Sequence, residues 1–170
     1  MYRKYRKKNA AGGAEGAVKA AVSLLAFKEN TEKELYGKLL AKGYSEEDSA
    51  AALRFVVEKN YLSEGRYFLR FVEYYGSVKR YGKKRILQEA YKKGFSEKTL
   101  SEHSEEAFGR LDFNALCYEE LGKSAPSREK AAAQLLRRGF SSENVRRAFE
   151  RWLFEHGTPF GSEDEGEEND

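Results

Sequence analysis

An all-α fold, an elongated tandem array of three-helix repeat units, is predicted by three features of this 170-residue sequence. Good helix formers (Ala, Leu, Glu, Lys and Arg) fill its long stretches, and Pro126 and Pro159 are its two prolines. No run alternates apolar and polar residues at period two for long enough to make a strand. One short phrase occurs three times, as LLAKGYSEED at 39–48, YKKGFSEKTL at 91–100 and LLRRGFSSEN at 135–144. Such recurrence marks a repeated structural unit rather than a catalytic site.

The first expected element is a leading helix over about residues 15–28. Residues 1–16 read as a basic, flexible arm. Its glycine-rich stretch AAGGAEGA is a linker and not a phosphate loop, because the Gly-Lys-Ser/Thr ending is missing. Thr31 and Glu34 have the spacing of a capping box that starts the next helix. The repeated phrase then supplies a stop and a new start. Eight residues before Gly43, Gly94 and Gly139 come Leu35, Ile86 and Ala131. Four before come Leu39, Ala90 and Leu135, and three before come Leu40, Tyr91 and Leu136. Together they predict an apolar stripe on each helix. Glycine tolerates the left-handed conformation that ends a helix, and Lys42, Lys93 and Arg138 suit its negative end. Tyr44, Phe95 and Phe140 follow as anchors, and Ser45, Ser96 and Ser141 as N-caps. Ten residues after each glycine, Leu53 and Phe149 continue the apolar pattern and Ser104 breaks it.

A third helix is expected in each unit. Tyr67, Phe68, Phe71, Val72 and Tyr75 make its stripe in the first, and Leu111, Ala115, Leu116 and Leu121 a shorter one in the second. The third reaches only Trp152 to His156 before glycine and acid take over. The expected division is 17–77 for the leading helix and first repeat, 78–125 for the second repeat, 126–156 for the third, and 157–170 for an acidic, disordered tail.

Charge is unevenly placed. Arg3, Lys4, Arg6, Lys7 and Lys8 crowd the start, and Glu163, Asp164, Glu165, Glu167, Glu168 and Asp170 crowd the end. Setting those six acids aside leaves 22 of the 28 acidic residues against 31 basic ones. A body so biased is drawn to polyanions. The basic candidates for that contact are Lys83, Lys84, Arg85, Lys92 and Lys93 in the second repeat and Arg128, Lys130, Arg137, Arg138, Arg146 and Arg147 in the third. Arg and Lys there can pair with phosphate or with acidic protein. Tyr74, Tyr75 and Tyr81 flank the first cluster, either to stack on unpaired bases or to anchor turns.

Catalysis finds no support. His103 and His156 stand apart, and no Cys or His lies at metal-ligand spacing, so neither a metal nor a cofactor is expected. Cys117, the single cysteine, allows no intrachain disulfide, reads as a small buried hydrophobe and suits a reducing, cytoplasmic setting. The longest apolar run, residues 17–27, contains Lys19 and is too short to span a bilayer.

With these elements in place, the chain resembles the RecX family of bacterial regulatory proteins. The likeness lies in TEKELYGKLLAKGY (31–44), NYLSEGRY (60–67), YGKKRILQEAYKKGF (81–95) and LLRRGFS (135–141), in that order and spacing. Where the family often has two aspartates after the tyrosine–leucine pair, this chain has Ser63 and Glu64; where it has leucine in the second-unit helix, this chain has Ala90. The resemblance implies a non-enzymatic monomer that binds the RecA recombinase and its filament on single-stranded DNA. It would inhibit strand exchange, ATP hydrolysis and the induced damage response, and could touch single-stranded or duplex DNA directly. Two other readings stay open: a stand-alone nucleic-acid-binding helical module, and a scaffold that binds only protein.

Overall fold

The computed structural model describes residues 12–124 and 127–161, and every regular element among them is helical. In chain order these are α1 (Gly13–Phe27), α2 (Glu32–Ala41), α3 (Glu46–Glu58), α4 (Glu64–Glu73), a π-helical turn at Tyr74–Val78, α5 (Lys83–Lys93), α6 (Glu97–Gly109), α7 (Phe113–Leu121), α8 (Arg128–Arg137) and α9 (Ser142–His156). The chain divides into two compact units. Unit 1 takes the described residues of Met1–Arg70 with Ala90–Ser104, and unit 2 takes Phe71–Glu89 with those of Glu105–Asp170.

The local grammar holds at each phrase. Gly43, Gly94 and Gly139 have φ of 95°, 89° and 91°, the left-handed conformation that closes a helix. Ser45 Oγ accepts from Asp48 N at 3.0 Å, Ser96 Oγ from Thr99 N at 3.2 Å, and Ser141 Oγ from Asn144 N at 3.0 Å. Thr31 and Glu34 form the expected capping box, each side chain accepting from the other's backbone N–H at 3.1 Å. Phe95 and Phe140 are buried, and Tyr44 is half-buried.

The apolar stripes differ from expectation at one position. Leu35, Leu39, Ile86, Ala90, Ala131 and Leu135 are buried, but Leu40 is half-buried and Tyr91 and Leu136 are exposed. Each residue turns about 100° around a helix, so the position three before the glycine leaves the face shared by the other two. In the helices that follow, the shared buried position lies six residues after the glycine, at Ser49, Leu100 and Val145, while Leu53 and Ser104 are only half-buried.

Unit 1 closes around Ala17 and Ala21 of α1, Leu35 and Leu39 of α2, Ala52 and Val56 of α3, and Leu62. Phe68 adds its ring edge-on to Phe95, 5.3 Å between centroids. In unit 2, Leu116, Cys117 and Leu121 of α7 pack with Ala131 and Leu135 of α8 and with Val145, Ala148 and Phe149 of α9.

Both expected ends need correction where they are described. Gly13–Gly16, read as flexible arm, form the first turn of α1. Residues 157–161, read as disordered tail, begin with Gly157 capping α9 at φ 73° and include Phe160, buried against Phe149 and Trp152. Glu15 suits the positive start of α1, where Gly16 N donates to Gly12 O at 2.9 Å, and the buried Phe160 ring folds the first tail residues back. The remaining residues of the arm and tail lie outside the described residues. Trp152–His156 are the last turn of α9 rather than a further helix. The stripe from Tyr67 to Tyr75 also ends differently, widening into the π-helical turn. There Gly76 lies so close to Leu111 that a Cβ would overlap the leucine side chain.

Within each unit, helix ends meet at a glycine. In unit 2 the amides of Gly82 and Lys84, at the start of α5, donate to Arg138 O at 2.9 Å and Gly139 O at 3.2 Å, at the end of α8. These bonds satisfy groups that helix ends otherwise leave open. A Cβ on Gly82 would overlap the Gly139 backbone, and one on Gly139 would overlap Arg85. In unit 1 the start of α2 meets the end of α5 in the same sense: Thr31 Oγ1 donates to Lys93 O at 3.4 Å. A Cβ on Gly94 would stand 3.1 Å from Lys33 Cδ.

Two outcomes follow for purified protein. In urea denaturation, Gly139→Ala and Gly82→Ala should each lose about 3 kcal/mol of stability, from overpacking and, at Gly139, backbone strain. Gly37→Ala, inside α2 with open space around it, should instead gain about 0.5–1 kcal/mol. The Cys117 thiol, fully buried, is pushed up to about 12 by burial and then by the charge of Glu120. Ellman's reagent should therefore label it only in denaturant; fast labelling of the native protein would contradict this packing.

Candidate polyanion interface

The site begins with the helix ends that position it. In unit 1 the carboxylate of Glu64, 6% exposed, lies at the starts of two other helices. It accepts from Glu32 N of α2 at 2.8 Å and, at the start of α6, from Ser96 N at 3.2 Å, Ser96 Oγ at 2.8 Å and Thr99 Oγ1 at 2.8 Å. Buried charge needs such partners, and the positive ends of helices favour an anion. Ser63 caps Glu64's own helix, its Oγ accepting from Arg66 N at 3.3 Å. The two positions where this chain departs from paired aspartates therefore still do capping work. Burial and the neighbouring Glu64 charge push the Glu32 carboxyl above the usual carboxylate range.

The basic candidates fall into distinct chemical situations. Lys93, in unit 1, pairs with Glu34 at 2.7 Å. Burial lowers its affinity for a proton, but bonds to Glu34 and Tyr67 outweigh this and raise it overall. Lys92 is exposed. In unit 2, Arg85 pairs with Glu89 at 3.0 Å, and Arg138 with the buried Glu120 at 2.9 Å. The two guanidinium groups lie 5.6 and 5.7 Å from the Tyr81 ring centroid. Arg138 also donates to the carbonyls of Lys79 at 3.0 Å and Arg80 at 3.3 Å, closing the chain after the π-helical turn. Arg85 and Arg138 thus hold structure together. On α9, Glu143 accepts from both Arg146 and Arg147, which draw its carboxyl down to about 2. Arg146 also bonds Glu150.

The other candidates are less engaged. Lys83 lies 5.0 Å from the Phe108 ring centroid and Arg128 4.7 Å from that of Phe149. Lys84, Lys130 and Arg137 are exposed and pair with no carboxylate among the described residues. All five belong to unit 2. Tyr75 is half-buried with its centroid 4.3 Å from that of Phe71, and Tyr81 serves the two arginines, so both anchor turns. Tyr74 keeps 46% of its surface exposed, with Lys79 Nζ 5.7 Å from its ring centroid. Sequence reasoning missed the groove of about 520 Å³ beside Lys83 and Lys84, because Leu87 and Phe113 reach it from separate helices. Among the described residues no group of His, Cys, Asp or Glu could hold a metal ion, and no helix is long and apolar enough to cross a membrane.

Residues 17–55 match the family profile described as RecX, first three-helix domain. The regulatory protein RecX of Halorhodospira halophila is 34% identical over 148 residues, covering 81% of this chain and 89% of that protein. That of Vibrio parahaemolyticus is 32% identical over 132 residues, covering 74% of this chain and 84% of that protein. The crystal structure of RecX from Lactobacillus salivarius shares the fold, with a TM-score of 0.74 at 18% identity over 83% of this chain and 97% of that one.

Removing the Glu64 carboxylate strands four donors. Glu64→Ala should cost about 2–3 kcal/mol in chemical denaturation. Glu64→Gln, which keeps the acceptor oxygen, should cost less; equal stability of wild type and Glu64→Ala would remove Glu64 from its place at these helix ends.

Proposed function

The chain belongs to the RecX family of regulatory proteins, and from that premise we propose that it binds the RecA recombinase and its filament on single-stranded DNA and restrains it. It does so by occupancy, without making or breaking a covalent bond, in the cytoplasm during recombinational repair and the damage response. The observation that supports this reading is the unequal use of charge in unit 2. Arg85, Arg138, Arg146 and Arg147 spend theirs on internal carboxylates, whereas Lys84, Lys130 and Arg137 keep theirs for solvent or a partner. Cations of the second kind attract phosphate or acidic protein from a distance and are released by salt. An exposed pair such as Arg146 with Glu143 offers a partner little net charge.

The test is ATP hydrolysis by RecA on single-stranded DNA. The wild-type chain should slow it at substoichiometric amounts. Lys84→Glu, Lys130→Glu and Arg137→Glu combined should weaken the effect roughly tenfold or more, each lost charge contact being worth about 1 kcal/mol. Arg146→Gln should change it little. No slowing across a broad concentration range would overturn the proposal. Tight, sequence-selective duplex binding without RecA would favour a stand-alone DNA-binding module, and each phosphate contact would steepen the salt slope by about 0.9 on duplex.

A further inference from the structure

The repeat joint of unit 2 leaves an open groove of about 520 Å³, lined by Lys83, Lys84, Leu87, Phe113, Gly139, Phe140, Ser141 and Asn144. Its volume lies within the roughly 300–1,000 Å³ usual for binding pockets. Leu87 and Phe113, both half-buried, supply apolar surface. Lys83 and Lys84, both exposed, stand beside it on the first turn of α5. Neither lysine has a carboxylate partner among the described residues. Their position is electrostatically unfavourable, because the start of a helix carries partial positive charge and favours acids. Helices α2, α3, α6 and α9 show the usual choice, with Glu32, Glu46, Glu97 and Glu143 in their first turns, whereas the first turn of α5 holds no acid.

We propose that this groove binds an acidic peptide segment of a partner protein, with one or two apolar side chains on Leu87 and Phe113 and flanking carboxylates on Lys83 and Lys84. Charge complementarity selects the sign of the ligand, and the apolar lining selects its kind. A nucleic-acid strand would present phosphates and flat bases, which need open ring faces to stack on, yet Phe140 is buried and Phe113 half-buried. An apolar side chain beside carboxylates uses both features: the lining removes it from water, and ammonium groups with no carboxylate partner among the described residues meet the acids. The inference narrows the reading above for one part of the basic surface. Its test omits the recombinase, so the two can fail separately.

The probe is a fluorescein-labelled peptide, Asp-Glu-Asp-Leu-Asp-Phe-Glu-Asp, titrated with the full chain by fluorescence anisotropy. Binding is expected in the range of about 10–100 μM. It should weaken roughly tenfold or more when Leu and Phe of the peptide become Ser, and again when its acids become Asn and Gln. On the protein side, Lys83→Gln with Lys84→Gln should weaken it comparably; both side chains are exposed, so the fold is retained. Leu87→Asp, checked by circular dichroism, should do the same through the lining. No binding up to about 1 mM overturns the proposal. So does binding that ignores the lysine changes, or binding that survives loss of the peptide's apolar residues. Displacement of the peptide by single-stranded oligothymidylate that itself depends on Lys83 and Lys84 would reassign the groove to nucleic acid.

Discussion

Backbone meeting backbone at a glycine governs both units. At the Gly82–Gly139 joint, two amides from the start of α5 reach two carbonyls at the end of α8, and a methyl group on either glycine would collide with the opposite chain. The contact joins groups that single helices leave unsatisfied, so it gains hydrogen bonds without burying orphan polar atoms. It also sets a negative helix end against a positive one. The corresponding joint at Gly94 uses the Thr31 hydroxyl in place of an amide, which relaxes the demand for backbone approach there. One short phrase therefore does two jobs: it ends its own helix and offers a docking point to the start of another.

Much of the positive charge near these phrases serves the joints themselves. Arg138 reaches the Lys79 and Arg80 carbonyls, pairs with Glu120 and lies over Tyr81, where Arg85 lies as well. A guanidinium can do this because its planar fork bonds several oxygens while its face rests on an aromatic ring. Lysine is a poorer substitute, and the lysines are found outside these networks, at Lys83, Lys84 and Lys130. The regulatory reading rests on the division in unit 2 between Arg85 and Arg138, which hold the joint, and Lys84, Lys130 and Arg137, which pair with no carboxylate among the described residues. That division also separates residues whose loss should cost stability from residues whose loss should cost binding.

Unit 1 meets the same problem of open helix ends with a side chain. Glu64 brings one carboxylate to α2 and α6 while starting α4, and four donors compensate its burial. A shorter acid with a neighbour could divide that task. Here Ser63 takes the local cap and Glu64 the longer reach. Between them, Ser63 and Glu64 give these helix-start donors their acceptors.

Local chemistry was readable from the chain before any coordinates. Glycine stops, serine caps, the Thr31–Glu34 box and the apolar positions eight and four before each glycine all depend on neighbours within about one or two helical turns. The aromatic anchors Phe95 and Phe140 were legible for the same reason. Three-dimensional packing chose everything that joins distant residues. It turned Tyr91 and Leu136 outward, set the π-helical turn where Gly76 meets Leu111, gave Arg85 and Arg138 to the joint, and left Lys84, Lys130 and Arg137 without a carboxylate partner among the described residues. A charge pattern states how many cations a helix carries. Whether each one is spent depends on which carboxylate, carbonyl or ring a remote segment brings within a few ångströms, and no spacing along the chain encodes that distance.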